Sequence, residues 1–339
     1  MVYFGQYLKD YLEYNKVSQT EFALRLGVTQ KHINEILNGK AKITLEMAAN
    51  IERLTNIPSN FIISVENTRY IEEELIRKYG NEENIKKVVE KEYAFKDLKK
   101  SNWIVFKDEK NIYQVCIDIL NFLKVKDFTA HSKLEQHVLF KKKGEDYNKL
   151  ALWIAHCDEL SSNQQVNEYK SENFNELINK LKIEAFNEGI NIEKIKEILN
   201  SYGILFICEK ALPGTKVRGC FKVKMNTPAI YTTANYSAKD SFFFELFHEL
   251  GHCKSDYNMA QNKVIIDGDE KREQRADEFA LNTMISKSEW NNIISNISED
   301  SIIEKSKEYK IPVSFIVGRL AKNDYIKYSG KLYNKYKKI

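Results

Sequence analysis

The chain has 339 residues, 43% of them hydrophobic and 29% charged, which is enough for two or three domains with their own cores and describes an ordinary soluble protein. Four prolines and thirteen glycines disfavour long flexible linkers and repeat-rich β architectures, so a mainly helical protein is expected. The formal net charge of +4 is modest but uneven: from Arg319 to the end there are seven Lys and Arg against one Asp, a basic tail that either touches nucleic acid or keeps the terminus solvated. The start, MVYFGQYLKDYLE, lacks a basic segment followed by an apolar one, and no apolar run approaches 18 residues, so a cytoplasmic protein without a membrane span is expected. The five cysteines include no C-x-x-C pair, which argues against a disulfide framework and against a cysteine zinc site.

Residues 1–68 read as five short helices. Leu8 and Leu12 give the first an apolar stripe, Ser18 caps the second, and Gly27 supplies a tight turn. Val28, Ile33, Ile36 and Leu37 form the buried side of a third helix that ends at Asn38-Gly39; Thr44 caps a fourth and Pro58 opens a fifth. Ala23, Gly27 and Ile33 are the small residue, turn glycine and buried aliphatic that let two helices cross closely in a helix-turn-helix. The exposed face of the third helix would then enter the major groove with Gln30, Lys31, Asn34 and Glu35, while Gln19, Asn38, Lys40 and Lys42 lie towards phosphates. Residues 1–68 hold seven basic and seven acidic side chains, so specific binding to a double-stranded operator is expected to need a homodimer on paired half-sites. This block resembles an Xre-type domain and, through the string IPSNFI, the antitoxins of the HigA type.

Residues 69–200 read as a charged helical connector followed by a helical middle region. Leu150, Trp153, Ile154 and Cys157, and again Phe174, Leu177, Ile178 and Leu181, keep the spacing of a buried helix face. After Tyr202-Gly203 the period changes. Ile204–Cys208, Val217–Val223 and Ala229–Thr232 are β-rich runs expected to form a small antiparallel sheet whose last strand, just before the next helix, would rim a site.

The stretch SFFFELFHELGHCK, Ser241–Lys254, carries the chemistry. On a helix, His248 and His252 lie one turn apart on one face, a spacing that suits zinc, and Glu249 sits beside them as a general base. A third ligand is needed. Glu273 in the helical segment Glu273–Ile285 is the best candidate, with Asp269 and Glu270 as alternatives; Asp277, one turn on, can fix the tautomer of a ligating histidine. Ala276 and Ala280 leave room for close helix packing, and Cys253 reads as a small buried residue. Tyr231, Asn235, Tyr236 and Tyr257 are candidates to stabilise an oxyanion, without a choice among them.

HELGH followed some twenty residues later by E-x-x-A-D-x-F-A resembles the ImmA/IrrE family of small zinc peptidases, a minimal gluzincin. The resemblance implies that His248, His252 and Glu273 bind Zn²⁺ and that Glu249 is the base. Where the family often has Leu-Ile-Pro after its second helix this chain has Met284-Ile285-Ser286, which touches only the helix end. Beyond Trp290, Ile311, Ile316 and Leu320 are spaced like Val28, Ile33 and Leu37, a second helix-turn-helix-like pair with Pro312 opening its second helix; packing against the domain before it is the expected role.

The expected organisation is thus a DNA-binding domain at 1–68, a helical region at 69–200, a zinc peptidase at 201–290 and a basic extension at 291–339. The resemblance implies a regulator fused to an endopeptidase that cleaves a partner protein, such as a repressor, in a stress, mobile-element or toxin–antitoxin setting. The competing reading is an antitoxin-like repressor whose metal is structural or sensory; a base beside an open coordination position argues against it.

Overall fold

The computed structural model describes residues 2–134, 138–139, 147–187, 189–234, 238–261, 264–265 and 270–336. Its contacts separate two compact units, residues 1–91 with 106–117, and residues 92–105 with 118–339. The architecture is mainly α with one small sheet, as composition and periodicity lead one to expect.

The first unit begins with α1 (Phe4–Tyr14), α2 (Gln19–Leu26), α3 (Gln30–Leu37), α4 (Leu45–Thr55) and α5 (Ser59–Tyr79). The hydroxyls of Ser18, Thr29 and Thr44 each accept a backbone N–H three residues on, satisfying donors that a helix start leaves open. Gly27 joins α2 to α3 at φ +73°, a conformation glycine adopts without strain. Phe4, Leu8, Phe22, Ile33, Ile36, Ile51 and Ile62 fill the core these helices share. The α1–α3 contact is so close that a Cβ on Gly5 would lie 2.1 Å from the Ile36 carbonyl oxygen.

The fifth helix is not short. It runs 21 residues to Tyr79, because Glu66 and Arg69, one turn apart, bind the bundle itself. The Phe4 N–H at the start of α1 donates to Glu66 Oε1 (3.1 Å), and Arg69 Nη1 donates to the Gly39 carbonyl after α3 (2.7 Å). The two side chains also pair at 3.1 Å.

After α5 come α6 (Glu82–Lys87), α7 (Phe95–Ser101), α8 (Ile112–Leu123) and α9 (Phe128–Leu134), then β1 (Val138–Leu139), α10 (Tyr147–Ser162), α11 (Phe174–Phe186) and α12 (Ile192–Ser201). In α10 and α11 the apolar stripes identified from the sequence are buried at Leu150, Trp153, Ile154 and Cys157, and at Phe174, Leu177 and Leu181.

The strands β2 (Leu205–Cys208), β3 (Gly219–Lys224), β4 (Thr227–Thr232) and β5 (Val264–Ile265) join β1 in one sheet of order β1-β5-β3-β4-β2. Its sense corrects the antiparallel expectation. Only β3 and β4 form a hairpin, turning at Met225-Asn226 with both residues at positive φ; β2 runs parallel to β4 on its far side. The ten-residue link through Pro213-Gly214 is too long for a tight turn and carries the chain past β4, so β4 is interior and not a rim.

Next come α13 (Lys239–Ser255), α14 (Tyr257–Ala260), α15 (Glu270–Met284), α16 (Lys287–Ile294), α17 (Glu299–Tyr309), α18 (Val313–Lys322) and α19 (Lys331–Tyr336). Phe242, Phe243, Leu246, Phe247 and Leu250 form one wide apolar face of α13, and Glu245, His248, Glu249 and His252 are buried as well, so this helix is the buried centre of the unit. Ile302, Ile311, Phe315, Ile316 and Leu320 share its core, which gives the α17–α18 pair a packing role. Ser286 and Glu289 form a reciprocal capping box that starts α16. The basic tail folds back in part: Lys335 and the Tyr336 hydroxyl both reach Glu299. Among the described residues no helix is long and apolar enough to cross a membrane.

The glycines of the first unit separate crowding from strain. Gly5→Ala should cost about 2 kcal/mol or more by overpacking against backbone. Gly27→Ala, with nothing within 4 Å of the new methyl, should cost about 1 kcal/mol from positive φ alone. Urea denaturation of both variants checks the order.

Candidate metal centre and nucleic-acid interface

His248, Glu249 and His252 sit where α13 and α15 are pressed together. Gly251 allows this: a Cβ there would meet Ala276 Cα at 3.0 Å and the Phe279 side chain at 3.2 Å. Ala276 and Ala280 are buried on the other side of the contact, as their size suggested.

The approach places Glu273 across both histidines. His248 Nε2 lies 3.3 Å from Glu273 Oε2, His252 Nε2 lies 3.3 Å from Glu273 Oε1, and the two Nε2 atoms are 3.1 Å apart. The Nδ1 atoms point outward to carboxylates, His248 to Asp277 Oδ1 and His252 to Asp256 Oδ2, each at 2.9 Å. Asp277 was legible from its spacing; Asp256 was not singled out, although it lies one turn beyond His252. Asp256 is itself buried and is faced by Arg275 at 3.3 Å and Arg272 at 3.6 Å. Of the alternative third ligands, Glu270 is not part of the donor cluster, and Asp269 lies outside the described residues.

These residues fit a zinc ion. One donor atom from each of His248, His252 and Glu273 lies within 4.8 Å of the other two. A tetrahedral zinc with bonds of about 2.0–2.1 Å sets neighbouring donors about 3.3 Å apart, close to the separations found here. Each outer carboxylate holds a ring N–H, which turns the Nε2 lone pair inward, as ligating histidines require.

Electrostatics point the same way. Burial works against a charged His248 ring, but hydrogen bonds to Asp277 and Glu273 outweigh it and raise the pKa to about 11. His252 is similarly disfavoured by burial, yet Asp256 and Glu273 lift it to about 9. Burial raises the Glu273 carboxyl, and the two histidines more than reverse this, holding it well below the usual range. At 3.1 Å the two Nε2 atoms cannot both carry a proton towards each other, so the cluster favours positive charge that protons alone supply poorly.

Glu249 lies behind the pair. It is 3% exposed, its Oε2 has no hydrogen-bond partner among the described residues, and burial pushes its carboxyl up to about 8 against the pull of His248 and His252. Gly219 at the start of β3 makes its space: a Cβ there would fall 2.5 Å from Glu249 Oε1. Sequence reasoning missed Gly219, since only the folded sheet brings it to the helix. The Cys253 thiol is buried in the core, and burial pushes it up to about 12, so it is a packing residue.

The described oxyanion candidates are committed elsewhere. Tyr231 donates to Asp158 Oδ1 (2.7 Å), which also binds Lys222, and Tyr257 donates to the Asn226 carbonyl (2.6 Å). Asn235 and Tyr236 lie outside the described residues.

In the first unit, α3 presents Gln30, Lys31, Asn34 and Asn38 to solvent. Glu35 is half-buried and faces Lys31 (3.9 Å) and His32 (3.7 Å) along its own helix. Asn38 Nδ2 donates to the Asn34 carbonyl (2.7 Å) just beyond the end of the helix. Gln19 is half-buried at the start of α2, Lys40 is exposed, and Lys42 sits 5.1 Å from the Tyr70 ring.

Residues 8–62 match the helix-turn-helix family, and this block is a DNA-binding domain of the kind that regulates transcription. No curated protein matches the chain.

Two outcomes follow for the donor cluster. Asp256→Asn, which keeps size but loses the charge that orients His252, should weaken zinc binding about 10–100-fold in a competition titration. Because the rings of His248 and His252 hold protons more tightly than usual, zinc must displace them; affinity should fall about tenfold per pH unit lowered for each proton released, measured between pH 8 and pH 6.

Proposed function

We propose that the chain is a transcriptional regulator that binds an operator as a homodimer and carries a zinc-dependent endopeptidase. The observation that supports the second activity most is the buried Glu249 carboxylate, with an oxygen left unpaired beside three convergent metal donors. A structural or sensory metal site has no use for such a base.

His248, His252 and Glu273 would hold the ion, with Asp277 and Asp256 fixing the two rings. Zinc at this place supplies Lewis acidity, polarising a peptide carbonyl and acidifying a water. Glu249 accepts a proton at its carboxylate and returns it to the leaving amine. Gly219 keeps the carboxylate's space open. The resemblance to the ImmA/IrrE peptidases extends this to a substrate class, a regulatory protein such as a repressor encoded nearby, in a stress, mobile-element or toxin–antitoxin setting.

The test compares wild type with Glu249→Gln on the protein encoded by the adjacent gene. Both should bind one zinc and retard DNA from upstream of the chain's own gene, while cleavage should fall by about 10²–10⁴ in the variant. Cleavage that survives in Glu249→Gln would remove Glu249 as the base. If neither protein cuts that partner or any other regulator tested, while both hold zinc and bind DNA, the repressor reading replaces this one.

A further inference from the structure

A cavity of about 580 Å³ lies in the second unit, next to the metal helix and distinct from the donor cluster. Its size falls within the roughly 300–1,000 Å³ of small-molecule sites. Its walls come from elements that carry the candidate centre and from the C-terminal extension. Phe244 and Glu245 line it one turn before His248 and Glu249, Leu281 lines it one turn after Asp277, and α18 supplies Phe315, Arg319 and Lys322. Tyr328 and Tyr333, beyond α18, complete the outer side.

The cations of α18 give the cavity its character. Arg319 is half-buried, donates through Nη1 to the Leu281 (3.2 Å) and Ile285 (2.8 Å) carbonyls, and stacks 4.4 Å from the Trp290 ring. Lys322, one turn on, lies 4.9 Å from the Phe244 ring. Neither has a carboxylate within ion-pair distance among the described residues. The acids that line the cavity are on the α13 side, where Asp240 lies near the Tyr333 hydroxyl and Glu245 takes space that a Cβ on Gly219 would crowd. The α18 side of the cavity is therefore cationic, with Arg319 and Lys322 set among aromatic rings, while Arg218 is a third cation in the wall. Arg319 is half-buried, and a partly desolvated cation beside apolar surface is costly unless an anion compensates it; Lys322 is exposed and offers a second charge that a ligand can reach.

We propose that this cavity binds a small amphipathic anion, a carboxylate or phosphate attached to a flat apolar ring. The anionic group is met by Arg319 and Lys322, and the ring lies against Phe244, Phe315 and the tyrosines. Such a ligand would bridge α13, α15 and α18 and so tie the C-terminal extension to the helices of the metal motif. This gives the extension a task as a sensor arm. The proposal does not depend on the peptidase reading, since binding is measured without metal or proteolysis.

The experiment uses the full chain, with indole-3-acetate as the probe and the neutral, nearly isosteric indole-3-acetamide as its control, followed by calorimetry and ligand-observed NMR. The expected result is saturable binding of the acetate at millimolar concentration or below, with the amide at least fivefold weaker. Lys322→Glu should weaken the acetate at least fivefold and leave the amide unchanged. Arg319→Gln should do the same, but it also removes two hydrogen bonds at the end of α15, so the exposed Lys322 is the deciding position. Equal binding of acetate and amide, no effect of Lys322→Glu, or no binding of either probe at 10 mM would each overturn the proposal.

Discussion

Everything at the candidate centre depends on how closely α13 can approach α15. A single missing side chain, Gly251, lets the two backbones meet at Ala276, and this contact puts one carboxylate within 3.3 Å of both histidine Nε2 atoms. A larger residue at either position would push the helices apart and leave a helical pair of histidines without a third donor. The apolar face of α13, buried by Phe243, Phe247 and Leu250, supplies the hydrophobic energy that holds this helix in place while its other face is given to polar groups.

Around that contact the fold gathers an excess of negative charge. Glu245, Glu249, Asp256 and Glu273 all stand on or beside α13, and Asp277 faces it. Arg272 and Arg275 offset Asp256 at the outer edge. The inner carboxylates converge on the imidazoles and stabilise positive charge there, which a divalent ion provides more compactly than two protonated rings pressed to 3.1 Å. Burial is what makes Glu249, without a partner for one oxygen among the described residues, hold its proton more tightly than an ordinary carboxyl; Glu245 and Glu273 add a smaller push in the same direction.

Much of this was legible in the sequence because helical spacing is local information. His248, His252, Glu273 and Asp277 are fixed by intervals of four residues, and the caps Ser18 and Thr44 by residue type. What the sequence hid was set by contacts between distant segments. Gly219 matters only because β3 is laid against α13, and the parallel pairing of β2 with β4 follows from a crossover that no turn residue announces. Arg69 reads as the start of a charged connector, with Glu66 just before it in the helix-turn-helix block; the partners of this pair at Gly39 and Phe4 are thirty or more residues away. Asp256 is the exception, a residue one turn beyond His252 whose role is local yet carries no motif of its own.

The most direct measurement on the centre is the zinc-edge X-ray absorption spectrum of the full chain loaded with one equivalent of zinc. The arrangement of His248, His252 and Glu273 predicts stoichiometric uptake with nitrogen and oxygen donors at about 2.0–2.1 Å and the multiple-scattering signature of two imidazoles. Sulfur at about 2.3 Å, which would bring a cysteine such as Cys253 into the coordination sphere, or failure to take up one ion per chain, would contradict it.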